Sequence, residues 1–297
     1  MTIHQALREQ LAKLPALGHP LLTQIVTDQS FAGMILADQV HALATQMTIS
    51  SEELMHALVP LARCYAYTPI SNYQVGTIVR GTSGNFYFGA NLEFPGLGLN
   101  MTIHGEQAAV VNARLHGETG LDALAVQGTP CGHCRQFLAE INNPHFAIIY
   151  ANGHKRPLTD VLPNAFSPMA LGNKRGLFVP PSLQPQLILE NGDPLSNLAL
   201  QMAQQSYAPY SKNRAGIAVQ LSNGFIAGGS YLENVAFNPT LSPLQTALVA
   251  LRMCQQSWQD IQDAVLVEQR ASLSSQEQVS RALLATLGNV ELRVHAL

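Results

Sequence analysis

The chain has 297 residues, which is long enough for one large domain or for two ordinary ones that each bury a core. Hydrophobic residues make up 47% of it and charged residues only 12%, against a usual charged share of roughly 25%. This composition excludes a disordered chain, which needs many charges and few apolar residues. The 16 basic and 19 acidic residues give a net charge of −3. We therefore expect no nucleic-acid partner, because proteins that bind phosphate backbones carry a basic excess.

The sequence contains neither a membrane segment nor a disulfide framework. No run approaches the ~20 apolar residues of a membrane span, and Arg8 and Glu9 stand where a secretory signal would need an apolar run. We therefore expect a cytoplasmic protein without a membrane partner. Four cysteines are too few for a disulfide scaffold, and the close pair Cys131 and Cys134 indicates metal or redox chemistry instead.

The predicted elements begin with a small helical segment over residues 1–47, where apolar residues recur at helical spacing. Helices and strands then follow in the order helix, strand, strand, helix, strand, helix, strand: 50–67, 75–80, 86–90, 104–116, 123–126, 131–141 and 146–150. That order predicts an α/β sandwich on a mixed sheet. Residues 157–185 hold six of the 17 prolines and no clear periodicity, so we expect an extended connection there.

An internal repeat favours two domains over one large domain. Shifting the sequence by 140 residues without a gap gives nine identities, at Tyr67, Pro69, Ser71, Gly76, Val79, Gly84, Gly89, Leu92 and Glu93. Predicted elements of the second half agree with a duplication: 242–255, 264–267, 275–287 and 290–294. We therefore predict a first domain over 48–168, a linker over 169–187 and a second domain over 188–297. The alternative to a duplication is that the matched stretches are two unrelated hairpins that share turn glycines.

Two short motifs carry side chains suited to metal chemistry. The triplet from His104 to Glu106 opens one predicted helix, and the run from Thr129 to Cys134 opens the next. His104, Cys131 and Cys134 are ligands suited to Zn²⁺, and three protein ligands leave a fourth position open for water. A helix N-terminus favours the thiolate form of cysteine. We predict one zinc ion per chain, with Glu106 as the carboxylate that moves protons beside its water.

Each motif alone is weak, because His-x-Glu triplets occur by chance and C-x-x-C pairs also occur in redox dithiols and in structural zinc sites. In this order, with both at helix starts of one α/β unit, they fit the signature of zinc-dependent deaminases. Three alternatives stay open. They are a zinc deaminase acting on another cytosine-containing nucleotide or base, a redox protein that uses Cys131 and Cys134, and a non-catalytic zinc-binding module.

Four stretches are S-N-Y-Q-V-G from Ser71, F-G-A-N-L-E-F from Phe88, H-G-E-Q-A from His104 and T-P-C-G-H-C-R-Q-F from Thr129. Through them, and over most of its length, the chain resembles the long-form, two-domain bacterial cytidine deaminases. The resemblance implies a three-layer α/β/α sandwich, here duplicated behind the N-terminal helical segment. It also implies hydrolytic deamination of cytidine and 2′-deoxycytidine to the uridines, with release of ammonia, in pyrimidine salvage.

The resemblance assigns roles to further residues. It implies that Asn91 and Glu93 bind the ribose hydroxyls and that Tyr73 stands where the family commonly places an aromatic ring, often Phe, against the pyrimidine. It implies a homodimer with composite active sites, to which Phe166 and Ala236 would contribute across the interface. The residues themselves support the sugar assignment, because Asn91 and Glu93 alternate on one face just after a strand. A carboxylate there would also repel a phosphate, which favours a nucleoside over a nucleotide.

The second copy lacks these groups. At the 140-residue offset, the counterparts of His104, Glu106, Cys131 and Cys134 are Leu244, Thr246, Ala271 and Ser274. We therefore predict that the second domain binds no zinc and performs no chemistry. The remaining cysteines, Cys64 and Cys254, are expected to pack in the core.

Overall fold

The computed structural model describes residues 2–13, 19–151, 153–179, 186–190, 192–270, 272, 274–288 and 290–297. The N-terminal segment contains α1 (Ile3–Leu11), α2 (His19–Thr27), β1 (Met34–Ile35) and α3 (Ala37–Met47). The first unit contains α4 (Ser51–Ala62), β2 (Gly76–Gly81), β3 (Phe86–Ala90), α5 (Gly105–Leu115), β4 (Leu121–Val126), α6 (Gly132–Ala139) and β5 (Ala147–Ile149). After β6 (Lys155–Pro157) and α7 (Leu158–Val161), the second unit contains α8 (Pro194–Gln204), β7 (Ala215–Leu221), β8 (Ile226–Ser230), α9 (Pro243–Met253), β9 (Ile261–Glu268), α10 (Glu277–Leu287) and β10 (Leu292–Ala296).

The two units share one sheet topology. The first sheet has the strand order β1-β3-β2-β4-β5-β6, and the second has the matching order β8-β7-β9-β10. In both, a hairpin pairs antiparallel with the next strand, which in turn pairs parallel with the last strand of the unit. The predicted mixed sheet and its duplication are confirmed.

Glycines in the hairpin strands allow a helix to pack closely on each face of the sheet. Gly76 and Gly89 belong to neighbouring rungs of the β2–β3 ladder and therefore lie on opposite faces. A Cβ on Gly76 would lie 2.4 Å from the Val59 carbonyl oxygen of α4, and one on Gly89 would lie 2.1 Å from the Ala109 nitrogen of α5. The sheet is thus the middle of three layers, between α4 and α5.

The same contacts recur in the second unit. A Cβ on Gly216 would lie 2.1 Å from the Ala203 nitrogen of α8, and one on Gly229 would lie 2.2 Å from the Pro243 carbonyl oxygen of α9. Two of the three glycine pairs that reveal the repeat in the sequence are therefore positions at which helix backbone rests on the sheet.

Replacing Gly89 or Gly229 by alanine is expected to destabilise the protein, because backbone atoms cannot yield the space that a Cβ needs. We expect each change to lower the free energy of unfolding by about 3 kcal/mol or more, measured by urea denaturation. Gly128→Ala is the matched control, since a Cβ there meets nothing within 4 Å. Equal midpoints for Gly89→Ala and Gly128→Ala would contradict this account of the layers.

The gapless correspondence between the units ends after Glu233. Leu92 bridges to Ile103 in the first unit, but its counterpart Leu232 bridges to Leu241, so the second loop is two residues shorter. His104 caps α5 and Ser242 caps α9, each with a glutamine three residues later. His104 therefore corresponds to Ser242, and the expected match with Leu244 is wrong.

The remaining counterparts change for the same reason. Glu106 corresponds to Leu244 and not to Thr246. Cys131 caps α6, whereas Gln276 precedes α10. Cys131 therefore corresponds to Gln276, and Cys134 to Val279. The expected counterparts Ala271 and Ser274 are wrong; Ala271 lies outside the described residues. None of the corrected counterparts in the second unit is a side chain that binds zinc in proteins.

Two further expectations need correction. The N-terminal segment is not purely helical, because β1 pairs antiparallel with β3 at the edge of the first sheet. A two-residue strand is too short to show alternation in a sequence. The stretch 157–185 is not simply extended, because α7 lies within it and Leu158, Val161 and Leu177 are buried. Residues 180–185 of that stretch lie outside the described part of the chain.

The two units pack through α5 and α9 with nearly twofold symmetry. The Gln107 side chain of α5 donates to the Pro239 carbonyl at 3.0 Å, and its counterpart Gln245 in α9 donates to the Met101 carbonyl at 2.8 Å. Arg114 and its counterpart Arg252 likewise each donate to backbone carbonyls of the opposite unit. These reciprocal bonds join both units into one body with a common core.

Candidate active site

Three candidate metal ligands converge where α5 and α6 begin. His104 is the capping residue of α5, Cys131 is the capping residue of α6, and Cys134 lies in the first turn of α6. The Cys131 sulfur lies 3.5 Å from the Cys134 sulfur and 3.5 Å from His104 Nδ1. All three ligand atoms lie within 4.8 Å of one another, and among the described residues no other such group of His, Cys, Asp and Glu occurs.

The donor set fits a tetrahedral zinc ion. With Zn–S distances of about 2.3 Å and Zn–N distances of about 2.0 Å, a tetrahedral ion separates two sulfurs by about 3.8 Å and a sulfur from a nitrogen by about 3.5 Å. The two observed separations of 3.5 Å are close to these values. Two thiolates and one imidazole make a three-ligand set that leaves one position for water, as in catalytic zinc sites.

Charge at the sulfur pair is already favourable for a cation. Hydrogen bonds from the Cys134 thiol and from His104 lower the pKa of Cys131 to about 3. The same hydrogen bond to Cys131, together with burial, raises the pKa of Cys134. A divalent cation that displaces the Cys134 proton would leave two thiolates.

Glu106 lies beside this cluster in the first turn of α5. Its side chain is only 4% exposed. Burial raises the pKa of Glu106 because it disfavours the charged form, while hydrogen bonds from the Glu106 backbone and the Cys134 thiol act in the opposite direction. A buried carboxyl whose pKa is raised is suited to exchanging a proton with a reacting group.

A cavity of about 320 Å³ opens onto the cluster and contains most of the predicted site residues. Its walls include Tyr73, Asn91, Glu93, His104, Glu106 and Cys131. Val75 and Thr129, which belong to stretches quoted from the sequence, also line it, as do Thr102 and residues 126–128, which no motif indicated. Its size suits a nucleoside-sized molecule.

Asn91 and Glu93 are both tied to the loop that forms one wall of the cavity. Asn91 accepts from the Val75 amide at 2.8 Å and donates to the Tyr73 carbonyl at 2.9 Å. Glu93 accepts from the Ile70 and Ser71 amides at 2.8 and 3.0 Å and also from the Ser71 hydroxyl. One N–H of Asn91 and lone pairs of Glu93 are left for a ligand.

Glu93 is held in its charged form. Burial raises its pKa, but the bonds from the Ser71 hydroxyl and from the Ser71 and Ile70 amides lower the pKa by more, so it lies below the ordinary value. A carboxylate that faces the cavity accepts hydroxyl bonds and opposes an anionic group.

The comparisons with known proteins agree with this geometry. A family model described as "Cytidine and deoxycytidylate deaminase zinc-binding region" matches residues 48–150, and a second model with the same description matches residues 158–281. A cytidine deaminase of Proteus mirabilis is 45% identical over 268 residues, which cover 90% of each chain. One of Aliivibrio fischeri is 40% identical over 96% of this chain and 95% of its own.

This chain belongs to the cytidine and deoxycytidylate deaminase family. Among solved structures, the cytidine deaminase of Mycobacterium tuberculosis has 30% sequence identity over 38% of this chain and 95% of its own, with a TM-score of 0.36. Zinc is the metal that this family binds, and the donor set described above fits it. Among the described residues of this deaminase, no helix is both long and apolar enough to cross a bilayer.

Three of the predicted substrate residues lie outside the cavity or at its rim. The Tyr73 side chain is 63% exposed, although the residue borders the cavity. Phe166 is 47% exposed and Ala236 is half-buried, and neither lines the cavity of its own chain. The assignment of Phe166 and Ala236 to the site therefore depends on a partner subunit.

The corresponding region of the second unit is filled. Tyr231 replaces Asn91 and is buried, and Asn213 replaces Tyr73. Asn213 donates to Glu268 at 3.1 Å, and Glu268 accepts from the Gln276 amide at 2.8 Å. Polar groups of the second unit thus satisfy one another where the first unit has an open cavity.

Proposed function

We propose that this deaminase converts cytidine and 2′-deoxycytidine to uridine and 2′-deoxyuridine by adding water at C4 and releasing ammonia. The observation that carries the proposal is the His104, Cys131 and Cys134 cluster, with Glu106 beside it, at the end of a nucleoside-sized cavity. These three residues would hold zinc, which would act as a Lewis acid and lower the pKa of a water towards neutrality.

Glu106 moves the protons of the reaction. It takes one proton from the attacking water and delivers it to N3 of the pyrimidine. It then takes the second proton from the new C4 hydroxyl and delivers it to the departing amine, as the C4–N bond breaks and the C4 carbonyl forms. Its burial supports this role, because a carboxyl with a raised pKa gains and loses a proton more readily near neutral pH than an exposed one.

Asn91 and Glu93 bind the sugar hydroxyls, and Tyr73 covers the pyrimidine ring. The charged Glu93 supports a nucleoside over a nucleotide, because a 5′-phosphate nearby would meet a carboxylate. Loss of absorbance on deamination tests the substrate class. We expect cytidine and deoxycytidine to react at least about 100-fold faster than dCMP, cytosine and adenosine, a difference of roughly 2.7 kcal/mol. Preference for dCMP would contradict the proposal.

The second unit supplies a control for Glu93. Glu233 accepts from the Tyr210 and Ser211 amides just as Glu93 accepts from Ile70 and Ser71. We expect Glu93→Gln to raise KM for cytidine about tenfold or more, because the amide is a weaker acceptor for hydroxyls. Glu233→Gln is expected to cost similar stability and leave KM unchanged. Equal KM values in the two variants would assign Glu93 a purely structural role.

The domain assignment follows the distribution of these groups. We propose that residues 48–168 form the catalytic domain, that 169–187 connect it, and that 188–297 form a domain without zinc or catalysis. The filled region around Tyr231 and the absence of zinc ligands at Ser242 and Gln276 support this division.

A homodimer would complete the site. Phe166 and Ala236 are both tied to α6 through Gln136. The Gln136 side chain donates to the Phe166 carbonyl at 2.7 Å. The Gln136 backbone carbonyl accepts from the Asn234 side chain, whose oxygen accepts from the Ala236 amide at 3.0 Å. Their common anchor supports one shared surface that reaches the partner's cavity. A monomer in analytical ultracentrifugation at assay concentration would contradict it.

A further inference from the structure

One loop of the second unit contacts both helices that carry the metal ligands. We call residues 234–239 the brace segment. Its Asn234 side chain donates to the Gln136 carbonyl of α6 at 3.1 Å, and its Val235 amide donates to Glu140, at the end of α6, at 2.8 Å. Its Pro239 carbonyl accepts from the Gln107 side chain of α5 at 3.0 Å.

The contact with α5 reaches the histidine ligand through one side chain. The Gln107 oxygen accepts from the His104 backbone amide at 3.0 Å while its nitrogen donates to Pro239. Gln107 is almost wholly buried, so both bonds are shielded from water. A displacement of Pro239 would therefore move the amide of the residue that carries the imidazole.

The contact with α6 is anchored by a buried carboxylate. Glu140 is fully buried and accepts from the Val235 amide and from the hydroxyls of Tyr207 and Tyr210, all in the second unit. These bonds lower its pKa, although burial raises it by more. Removing any partner would leave a buried acceptor poorly satisfied, so the end of α6 is strongly tied to the second unit.

The brace segment is itself held in a fixed shape. Asn234 is fully buried. Its side-chain oxygen accepts from the Ala236 amide at 3.0 Å, and its backbone amide donates to the Thr240 hydroxyl at 3.0 Å. The Phe237 amide donates to the Asn234 carbonyl at 2.9 Å. A segment closed by its own hydrogen bonds transmits position, because it cannot adjust freely at one end without moving the other.

We propose that the brace segment is a positioning element for the metal site of its own chain, where it sets the separation between His104 on α5 and the two cysteines on α6. This gives the non-catalytic unit a role within the subunit, in addition to any contribution to a partner. Only the expected change in kcat for cytidine rests on the proposed function. The expected change in zinc affinity follows from the ligand geometry alone.

The test uses the whole chain and a change at Asn234, which lies 98 residues from Gln136 in the sequence and donates to the Gln136 carbonyl. Asn234→Asp keeps the oxygen that accepts from Ala236 but loses the N–H that donates to Gln136. We expect zinc affinity, measured by competition with a chromophoric chelator, to fall about 10-fold or more. We expect kcat for cytidine to fall similarly while KM stays within about twofold, because the cavity walls do not change.

Thr246→Val is the matched control in the second unit. The Thr246 hydroxyl is buried and donates to the Ser230 carbonyl at 2.9 Å within its own unit. We expect it to lower Tm as Asn234→Asp does, with zinc affinity and kcat unchanged. The absorption spectrum of the Co²⁺-substituted protein should change in Asn234→Asp and not in Thr246→Val, because ligand geometry determines it.

Gln107→Glu is a second variant, which keeps the acceptor for His104 and loses the donor to Pro239. It tests the same element should Asn234→Asp fail to fold. If either brace variant folds with the zinc affinity and Co²⁺ spectrum of the wild type, the segment is only structural and the proposal is overturned. If zinc-loaded wild type does not deaminate cytidine, the proposed function fails, yet the affinities still decide the role of the brace segment.

Discussion

Replacing Glu106 by glutamine is expected to lower kcat for cytidine by about 10⁴-fold while the protein keeps one zinc ion per chain. Glutamine has the shape of glutamate but cannot take up and deliver a proton, and general acid–base groups contribute about 10²–10⁴-fold to a rate. The upper part of that range is expected because Glu106 acts as base and as acid in one turnover. Stopped assays at high enzyme concentration give the rate, and metal analysis gives the zinc content.

Two outcomes for Glu106→Gln would contradict the role of Glu106 as the proton shuttle. Turnover within tenfold of the wild type would exclude Glu106 as the proton shuttle. Loss of zinc from Glu106→Gln would mean that the carboxylate, 4% exposed beside Cys134, serves the metal site itself.

Replacing Cys134 by alanine is expected to abolish both zinc binding and deamination. Cys134 is fully buried, and its removal leaves two protein ligands where catalytic zinc sites have three. Cys254→Ala and Cys64→Ala are the controls, because both residues are half-buried and lie outside the ligand cluster. Burial raises the pKa of Cys64 to about 11, as expected of a packed thiol and not of a reactive one.

The cysteine variants also separate zinc chemistry from redox chemistry. A redox dithiol would lose activity on oxidation and keep it in the presence of a chelator, whereas the zinc enzyme should lose it with the chelator. Zinc bound at full stoichiometry in Cys134→Ala would contradict the assignment of the ligands.

Much of this architecture could be predicted because its determinants are local or repeated. Capping residues and hairpin glycines specify where elements begin and turn, and the 140-residue repeat reveals the duplication. The glycines are visible in the sequence for a structural reason, since a Cβ at Gly89 or Gly229 would meet helix backbone. The metal motifs were visible because both lie at helix starts.

The correspondence between the units beyond Glu233 could not be read from a single offset, because loop length is independent of strand periodicity. The signal that sets it is the capping pattern, in which Ser242 and Gln245 match His104 and Gln107. The survival of Glu233 in a unit without zinc ligands was a second signal. It indicated that this carboxylate also holds a loop, as the amides of Tyr210 and Ser211 show.

Contacts between the units could not be predicted from the sequence. Gln107, Glu140 and Asn234 carry polar side chains that are ordinary on a helix or loop surface, yet each is buried against the other unit. Nothing in their local spacing indicates which backbone groups they will meet, since those groups lie about 95–132 residues away in the chain.

Titration of zinc into metal-free protein while cytidine turnover is followed tests the central claim most directly. We expect metal-free protein to be inactive and activity to rise linearly to a plateau at one zinc ion per chain, because His104, Cys131 and Cys134 form a single cluster. Full activity without zinc, or a zinc-saturated protein that leaves cytidine unchanged, would contradict it.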